Sequence, residues 1–257
     1  MPPVLYLQRD QPAGVPPLEL TGERTLPDVP EENYWFRRHL AVYEWIADRV
    51  WGRRVCDLAC GEGYGSAVLA RTAARVIGVD ANPEAFEHAR LKYTSERVTF
   101  ERDMIERWTG DVDAVVFLQT IEHVQDPDAV LAHVRDVVGP GGVAFVSTPN
   151  LLTIAPAGAE KSANPWHVRE YRAPEFRALC ARHFGDVDLF GLFHARKLAL
   201  HAAALRLGWD RVHGALRLTR PFYGWFTPAI AAGDFALRHE RDADLDGALD
   251  FLAVLRP

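Results

Sequence analysis

Residues 55–70 read VCDLACGEGYGSAVLA: an apolar run, three glycines at alternating positions (Gly61, Gly63, Gly65), then a second apolar run. The first run has the length of a buried strand and the second the spacing of a helix. Glycine between them tolerates positive φ and lets a ligand approach the main chain. A helix beginning just after the glycines offers unpaired N–H groups and the positive end of its dipole. The stretch therefore predicts a ligand cradle at the carboxyl end of a strand.

The surrounding rhythm sets the fold. Apolar runs at Val55–Leu58, Arg75–Val79, Val98–Arg102, Ala114–Leu118 and Val143–Ser147 alternate with helical patterns near Ser66–Ala74, Pro83–Tyr93 and Pro127–Val138. Strand and helix in alternation mean βαβ units and a parallel sheet covered on both faces. GPGG at 139–142 stops the last of these helices before the fifth strand. Beyond it, APEFRALCARHF reads as a helix, DVDLFGLF as a strand, residues 195 to about 232 as an inserted aromatic and basic helical stretch, and DGALDFLAVLRP as a closing strand. Before it, residues 1 to about 30 are rich in proline and turn formers and read as an extended arm, and EENYWFRRHLAVYEWIADRV reads as a helix.

Composition narrows the class. The 257 residues suit one large domain with insertions, and 48% hydrophobic with 25% charged residues is ordinary globular composition. A net charge of −6 argues against nucleic acid as a partner. Three cysteines (Cys56, Cys60, Cys180) form no disulfide framework, which fits a reducing compartment. No window approaches a membrane span, and the first 20 residues lack the basic start and apolar run of a signal peptide, so a cytoplasmic location is expected.

The glycine spacing decides the ligand. A dinucleotide turn wants a third glycine where Ser66 stands, and a phosphate loop wants a G-K-[ST] that this chain lacks. VIGVD ends the second strand on Asp80, a carboxylate placed for two ribose hydroxyls. FERDM ends the third and offers Asp103 and the Met104 amide to an adenine edge.

In that order, DLACGEGYG, VIGVD, ERDM and IEHVQDPDAVLAHVRDVVGPGGVAFVSTPN resemble the class I S-adenosylmethionine-dependent methyltransferases over roughly residues 50–190. The resemblance implies a Rossmann-like seven-stranded α/β sheet whose last strand is antiparallel. It implies S-adenosylmethionine held by Gly61, Gly63, Asp57 and Ala59 around the methionine, by Asp80 and Ala81 at the ribose, by Asp103 and Met104 at the adenine, and by Gln119. The division expected is an N-terminal arm and lid helix over 1–45 and a methyltransferase domain over 46–257, with the helical insertion inside it.

The acceptor side is written in LQTIEHV and NPWHVREY. Gln119, Glu122 and His123 follow the fourth strand, and His167 lies in a loop after the fifth, so both reach the carboxyl edge where open α/β sheets bind ligands. A carboxylate and two imidazoles, with Gln119 as a weaker oxygen donor, make a plausible divalent-cation set, magnesium or manganese. The pattern resembles the ExxEH…H site of methyltransferases that modify the terminal ribose of small RNAs, where magnesium chelates a vicinal diol; Gln119 stands in place of the first glutamate. TGERTLPDVPEENYWFRRH, STPN, NPWHVREY, GLFH and the closing segment together resemble the sugar 1-O-methyltransferases of methylmannose polysaccharide assembly, which cap a short 3-O-methylated mannoside. Tyr34, Trp35 and Trp166 offer flat faces to a pyranose, and Asn150 is a polar neighbour.

The function expected is therefore O-methylation of a sugar hydroxyl, with Glu122, His123 and His167 catalytic: His123 or His167 as base, or all three as metal ligands. A phenol or quinone O-methyltransferase, and a non-catalytic homologue that only binds the cofactor, are the alternatives. The acceptor expected is a small molecule or an oligosaccharide, and a homodimer is left open.

Overall fold

The structure, a computed structural model, describes residues 5–6, 12–21 and 24–257. Its centre is an eight-stranded sheet built from β3 (Arg54–Leu58), β4 (Arg75–Val79), β5 (Val98–Glu101), β6 (Ala114–Leu118), β7 (Val143–Pro149), β8 (Asp186–His194), β9 (Phe235–His239) and β10 (Asp250–Arg256). The strand order is β5-β4-β3-β6-β7-β10-β8-β9. The first five pair in parallel; β10 runs antiparallel to both β7 and β8, and β9 runs antiparallel to β8. The expectation of seven strands is thus corrected to eight, two of them reversed. The extra strand, FALRH, escaped the reading because it is a half-exposed edge strand without a continuous apolar run.

Among the described residues, eight helices pack around this sheet or extend from it: α1 (Asn33–Ala47), α2 (Tyr64–Leu69), α3 (Pro83–Tyr93), α4 (Pro127–Val138), α6 (Ala173–Ala181), α7 (Arg196–Arg206), α8 (Trp209–Ala215) and α9 (Thr219–Phe226); the single turn α5 (Leu151–Ile154) follows β7. Two of them start as their sequences dictate. Asn82 accepts from the Glu84 and Ala85 amides and Asp126 from that of Ala129, each with a proline at the next position. Alternate strand residues feed two cores. Val55, Val76, Val116 and Phe145 meet α1 and α2 on one face, while Cys56, Val115, Phe117 and Val146 meet α4 and α6 on the other.

The N-terminal region departs from the expected division. Helix α1 buries Phe36, Leu40, Tyr43 and Ile46 in the first core, and Arg38 forms a buried ion pair with Asp250 of β10 at 2.5 Å. A boundary at residue 45 cuts through this helix, which belongs to the core rather than to a lid. The arm before it is packed as well. Strand β2 (Leu18–Glu19), paired with β1 (Leu5–Tyr6), brings Leu18 against Leu26 and Val29, and the three are buried together. The arm expected over residues 1–30 otherwise falls partly outside the described residues, at 1–4, 7–11 and 22–23. Residues 195–232 carry α7, α8 and α9, joined by turns.

Candidate active site

The glycine loop leaves β3 with Gly61 and Gly63 at φ +56° and +96°, conformations for which glycine is suited, and with Ala59 at φ +60° in spite of its Cβ. Gly65 is needed for another reason: a Cβ there would lie 2.2 Å from the Tyr43 ring. The loop is held from two sides. Asp80, at the end of β4, accepts from the Gly61 amide and the Asn82 amide, each at 2.8 Å. Glu62 is turned inward onto α3, where it accepts from His88 (3.0 Å), Lys92 (2.7 Å) and the Tyr93 hydroxyl (2.9 Å). Pro16 of the arm meets the other His88 nitrogen at 2.7 Å. Cys60 is buried, and burial pushes its thiol well above the usual range, so it is not a nucleophile.

A crevice runs along this carboxyl edge in three connected parts. Ala59, Asp80, Ala81, Met104 and Thr120 line one of about 450 Å³. A narrow one of about 80 Å³ is lined by Arg24, Tyr64, Gly61, Glu62 and Gln119. Trp35, Arg24, Gln119, Glu122, His123 and His167 border the third, about 400 Å³. His123 borders the first and third, and Gln119 the second and third.

Asp57 lies elsewhere. It is fully buried beneath the loop and lines none of the three parts; one oxygen accepts from Tyr43 at 3.1 Å and the other from Ser66 at 2.7 Å. Burial pushes its carboxyl up to about 7. Asp103 accepts from its neighbouring Met104 amide at 2.8 Å and borders none of the parts, whereas Met104 does.

On the acceptor side the structure brings Glu122, His123 and His167 together. Val168 and Arg169 amides donate to the Glu122 carbonyl at 2.7 and 3.1 Å, stitching the 166–170 loop to the 3-10 turn Ile121–His123. One donor atom each from Glu122, His123 and His167 lies within 4.8 Å of the others. The imidazoles are oriented by acceptors. His123 Nδ1 donates to the Trp166 carbonyl at 3.0 Å and His167 Nδ1 to Glu170 Oε1 at 2.5 Å, so Nε2 carries the lone pair in both rings. Asn164 donates to His167 Nε2 at 2.9 Å. Burial pushes Glu122 up to about 8, and its Oε2 has no hydrogen-bond partner among the described residues. Gln119, at φ +50°, donates through Nε2 to Ser147 Oγ at 3.0 Å.

Three residues expected at the acceptor are placed otherwise. Asn150 is wholly buried, its amide donating to the Leu245, Asp246 and Ala248 carbonyls, which makes it a staple between loops. The Tyr34 hydroxyl pairs with His194 Nε2 at 2.7 Å, away from the cavity lining. Trp166 contributes its carbonyl to His123, and its ring is exposed outside the lining; Trp35 does border the cavity. Sequence reasoning missed Arg24, Asn164 and Glu170. Glu170 sits three residues after His167, a spacing that was available as a signal.

A methyltransferase domain family matches residues 32–202. A probable S-adenosylmethionine-dependent methyltransferase of Mycolicibacterium smegmatis is 38% identical over 93% of this chain and 96% of its own length. One of Mycobacterium tuberculosis is 37% identical over 93% and 90%. A ubiquinone biosynthesis O-methyltransferase of Xanthomonas oryzae is 36% identical over only 42% of this chain and 50% of its own. Among solved structures, a possible histamine N-methyltransferase of Thermotoga maritima superposes with TM-score 0.58 at 15% identity, covering 88% of this chain and 95% of that one, which speaks for the fold alone. With the family match spanning the glycine loop, Asp80 and the Glu122–His167 cluster, the chain belongs to the methyltransferase domain family and is an S-adenosylmethionine-dependent methyltransferase.

Proposed function

We propose that the acceptor is a sugar hydroxyl, with O1 of a 3-O-methylated mannoside as the favoured target, and that transfer is assisted by magnesium or manganese. The observation that carries this reading is the character of the third cavity. Its lining sets hydrogen-bonding groups, Arg24, Glu32, Gln119, Glu122 and Asn164 among them, beside an apolar wall to which Trp35, Pro149 and Ile154 contribute. A polyhydroxylated ring with one apolar face suits such a lining. A phenol or quinone, the acceptor class that the Xanthomonas relative's name suggests, would meet the apolar wall but leave most of these hydrogen-bonding groups without partners.

The donor set fits a divalent cation. Glu122 Oε2 is a buried acceptor without a partner among the described residues, and one nitrogen each of His123 and His167 lies within 4.8 Å of it or its twin oxygen. Since Trp166 and Glu170 take the Nδ1 protons, the ion would be met by Nε2, at His167 in exchange for the Asn164 hydrogen bond. Glu122, His123 and His167 would hold the ion with Gln119 assisting, and a bound ion would acidify a sugar hydroxyl and fix its direction. S-adenosylmethionine supplies an electrophilic methyl carbon that leaves a neutral thioether. The chain's own work is alignment and proton removal. Asp80 and the Gly61 amide shape the donor site, Arg24 brings positive charge to the narrow part of the crevice, and Trp35 orients the acceptor. His123 Nε2, at the junction of two parts of the crevice, takes the hydroxyl proton where no ion does so.

The test is methyl transfer from labelled donor to a panel of mannosides, glucosides and phenols, with and without chelator. The reading expects transfer to a mannoside, loss in chelator and recovery with magnesium. His167→Ala should lose transfer at least a hundredfold while donor affinity by calorimetry stays within about threefold. Full activity of metal-free protein in chelator refutes the ion and leaves a histidine base. Transfer to phenols alone refutes the sugar.

A further inference from the structure

Helices α7, α8 and α9 form a module whose inside is made of rings. Phe222 stacks on His213, His201 and Phe226, at centroid distances of 6.0, 5.7 and 5.2 Å. Tyr223 bonds to His201 at 3.2 Å and His213 to Thr219 at 2.8 Å. With the interior filled in this way, the module's aliphatic residues are turned out. Of the thirteen large apolar side chains exposed among the described residues, six lie here: Leu200, Leu207, Val212, Leu216, Leu218 and Trp225.

Their order along α7 is not scattered. Arg196, Ala199, Leu200, Ala203, Arg206 and Leu207 are all exposed and recur at helical spacing, whereas Leu198 is buried on the opposite side. The outward stripe of this helix is thus aliphatic with an arginine near each end. Leu200 and Leu207 are 74% and 89% exposed, and Trp225 on α9 is 71% exposed, values that leave these side chains almost bare to water.

Charge selects the occupant. The chain as a whole is acidic, yet Arg206, Arg211, Arg217 and Arg220 lie in this module in no ion pair among the described residues, and Asp210 is the sole acid from 196 to 226. We infer that the α7–α9 module docks on an anionic lipid surface, its leucines and Trp225 entering the headgroup boundary and its arginines meeting lipid phosphates. Leucine and tryptophan flanked by arginine are what an interfacial helix presents. A second copy is disfavoured by the same charge, because two-fold pairing of this face sets arginines against arginines. The module also leaves the sheet from the end of β8, whose direction brings that end to the edge holding the crevice. Docking would therefore hold the active site near the surface from which a lipid-borne acceptor is drawn. The inference does not depend on the sugar reading.

Flotation with phosphatidylcholine vesicles, with and without one third phosphatidylglycerol, tests it at low and high salt. The expected result is binding to the anionic vesicles only, weakened by salt. The double variant Leu200→Glu/Leu207→Glu should abolish it, and Arg206→Glu/Arg211→Glu should weaken it by about tenfold or more, since each basic residue at such a surface contributes roughly fivefold. Donor affinity unchanged in both variants shows that they are folded. Absence of binding to anionic vesicles, equal binding to both vesicle types, or self-association abolished by Leu200→Glu/Leu207→Glu without any vesicle binding overturns the inference.

Discussion

Replacing Asp57 by asparagine separates two roles for the carboxylate that opens the glycine loop. In the sequence it reads as a group that helps orient the donor; in the structure it is buried and spoken for by Tyr43 and Ser66. Burial raises its carboxyl from 3.8 to about 7, so the native state holds a proton that the unfolded chain has already released over much of that range. The stability linked to that proton is complete below the unfolded value and is lost as pH rises toward 7. Between pH 5 and pH 8 the loss comes to about 2 to 3 kcal/mol, taking both values together.

A carboxamide cannot ionise, so Asp57→Asn should lack this slope. Any hydrogen bond weakened by the change contributes about 1 kcal/mol at every pH and cancels from the comparison. His39 titrates the other way: burial lowers it to about 4, and its contribution is lost as pH falls from 6.5. It is present in both proteins and also cancels. Urea unfolding of the two proteins at pH 5 and pH 8 should therefore show the variant gaining about 2 to 3 kcal/mol relative to wild type at the higher pH. Donor affinity should change by no more than about threefold, because Asp57 borders no part of the crevice. Parallel stability at the two pH values would refute the protonated carboxyl. A tenfold loss of affinity in a stable variant would restore Asp57 to the donor.

Asp80→Ala removes the clamp on the Gly61 amide and, if Asp80 is the ribose ligand that its place at the end of β4 predicts, should weaken S-adenosylmethionine binding more than tenfold; calorimetry on the folded variant decides. Arg38→Ala leaves Asp250 buried without its cation and should destabilise the protein by about 3 to 5 kcal/mol, seen as a lowered urea midpoint. For the same reason a chain lacking residues 1–38 should fail to fold cooperatively, against the separable lid that the aromatic and basic ENYWFRRH suggests, and circular dichroism during heating would show it.

What the sequence could and could not disclose follows from how far apart the partners are. Buried parallel strands read as unbroken apolar runs, so β4 and β6 were legible to the residue. Asn82 and Asp126 announced the helices after them by local hydrogen bonds. The edge strand β9 has neither signal. Arg38 reads as a surface residue because its partner Asp250 stands 212 positions away. The candidate site shows both cases at once. Glu122, His123 and His167 are recognisable by type, but what brings them together is the Glu122 carbonyl receiving the Val168 and Arg169 amides, and every residue except proline can make such bonds. The main chain that positions these donors thus leaves no mark in side-chain identity. Glu170 does leave one: it is a charged residue buried three positions beyond His167, where the imidazole and the Ser162 amide and hydroxyl all donate to its carboxylate and so hold the 162–170 loop and the ring in one arrangement.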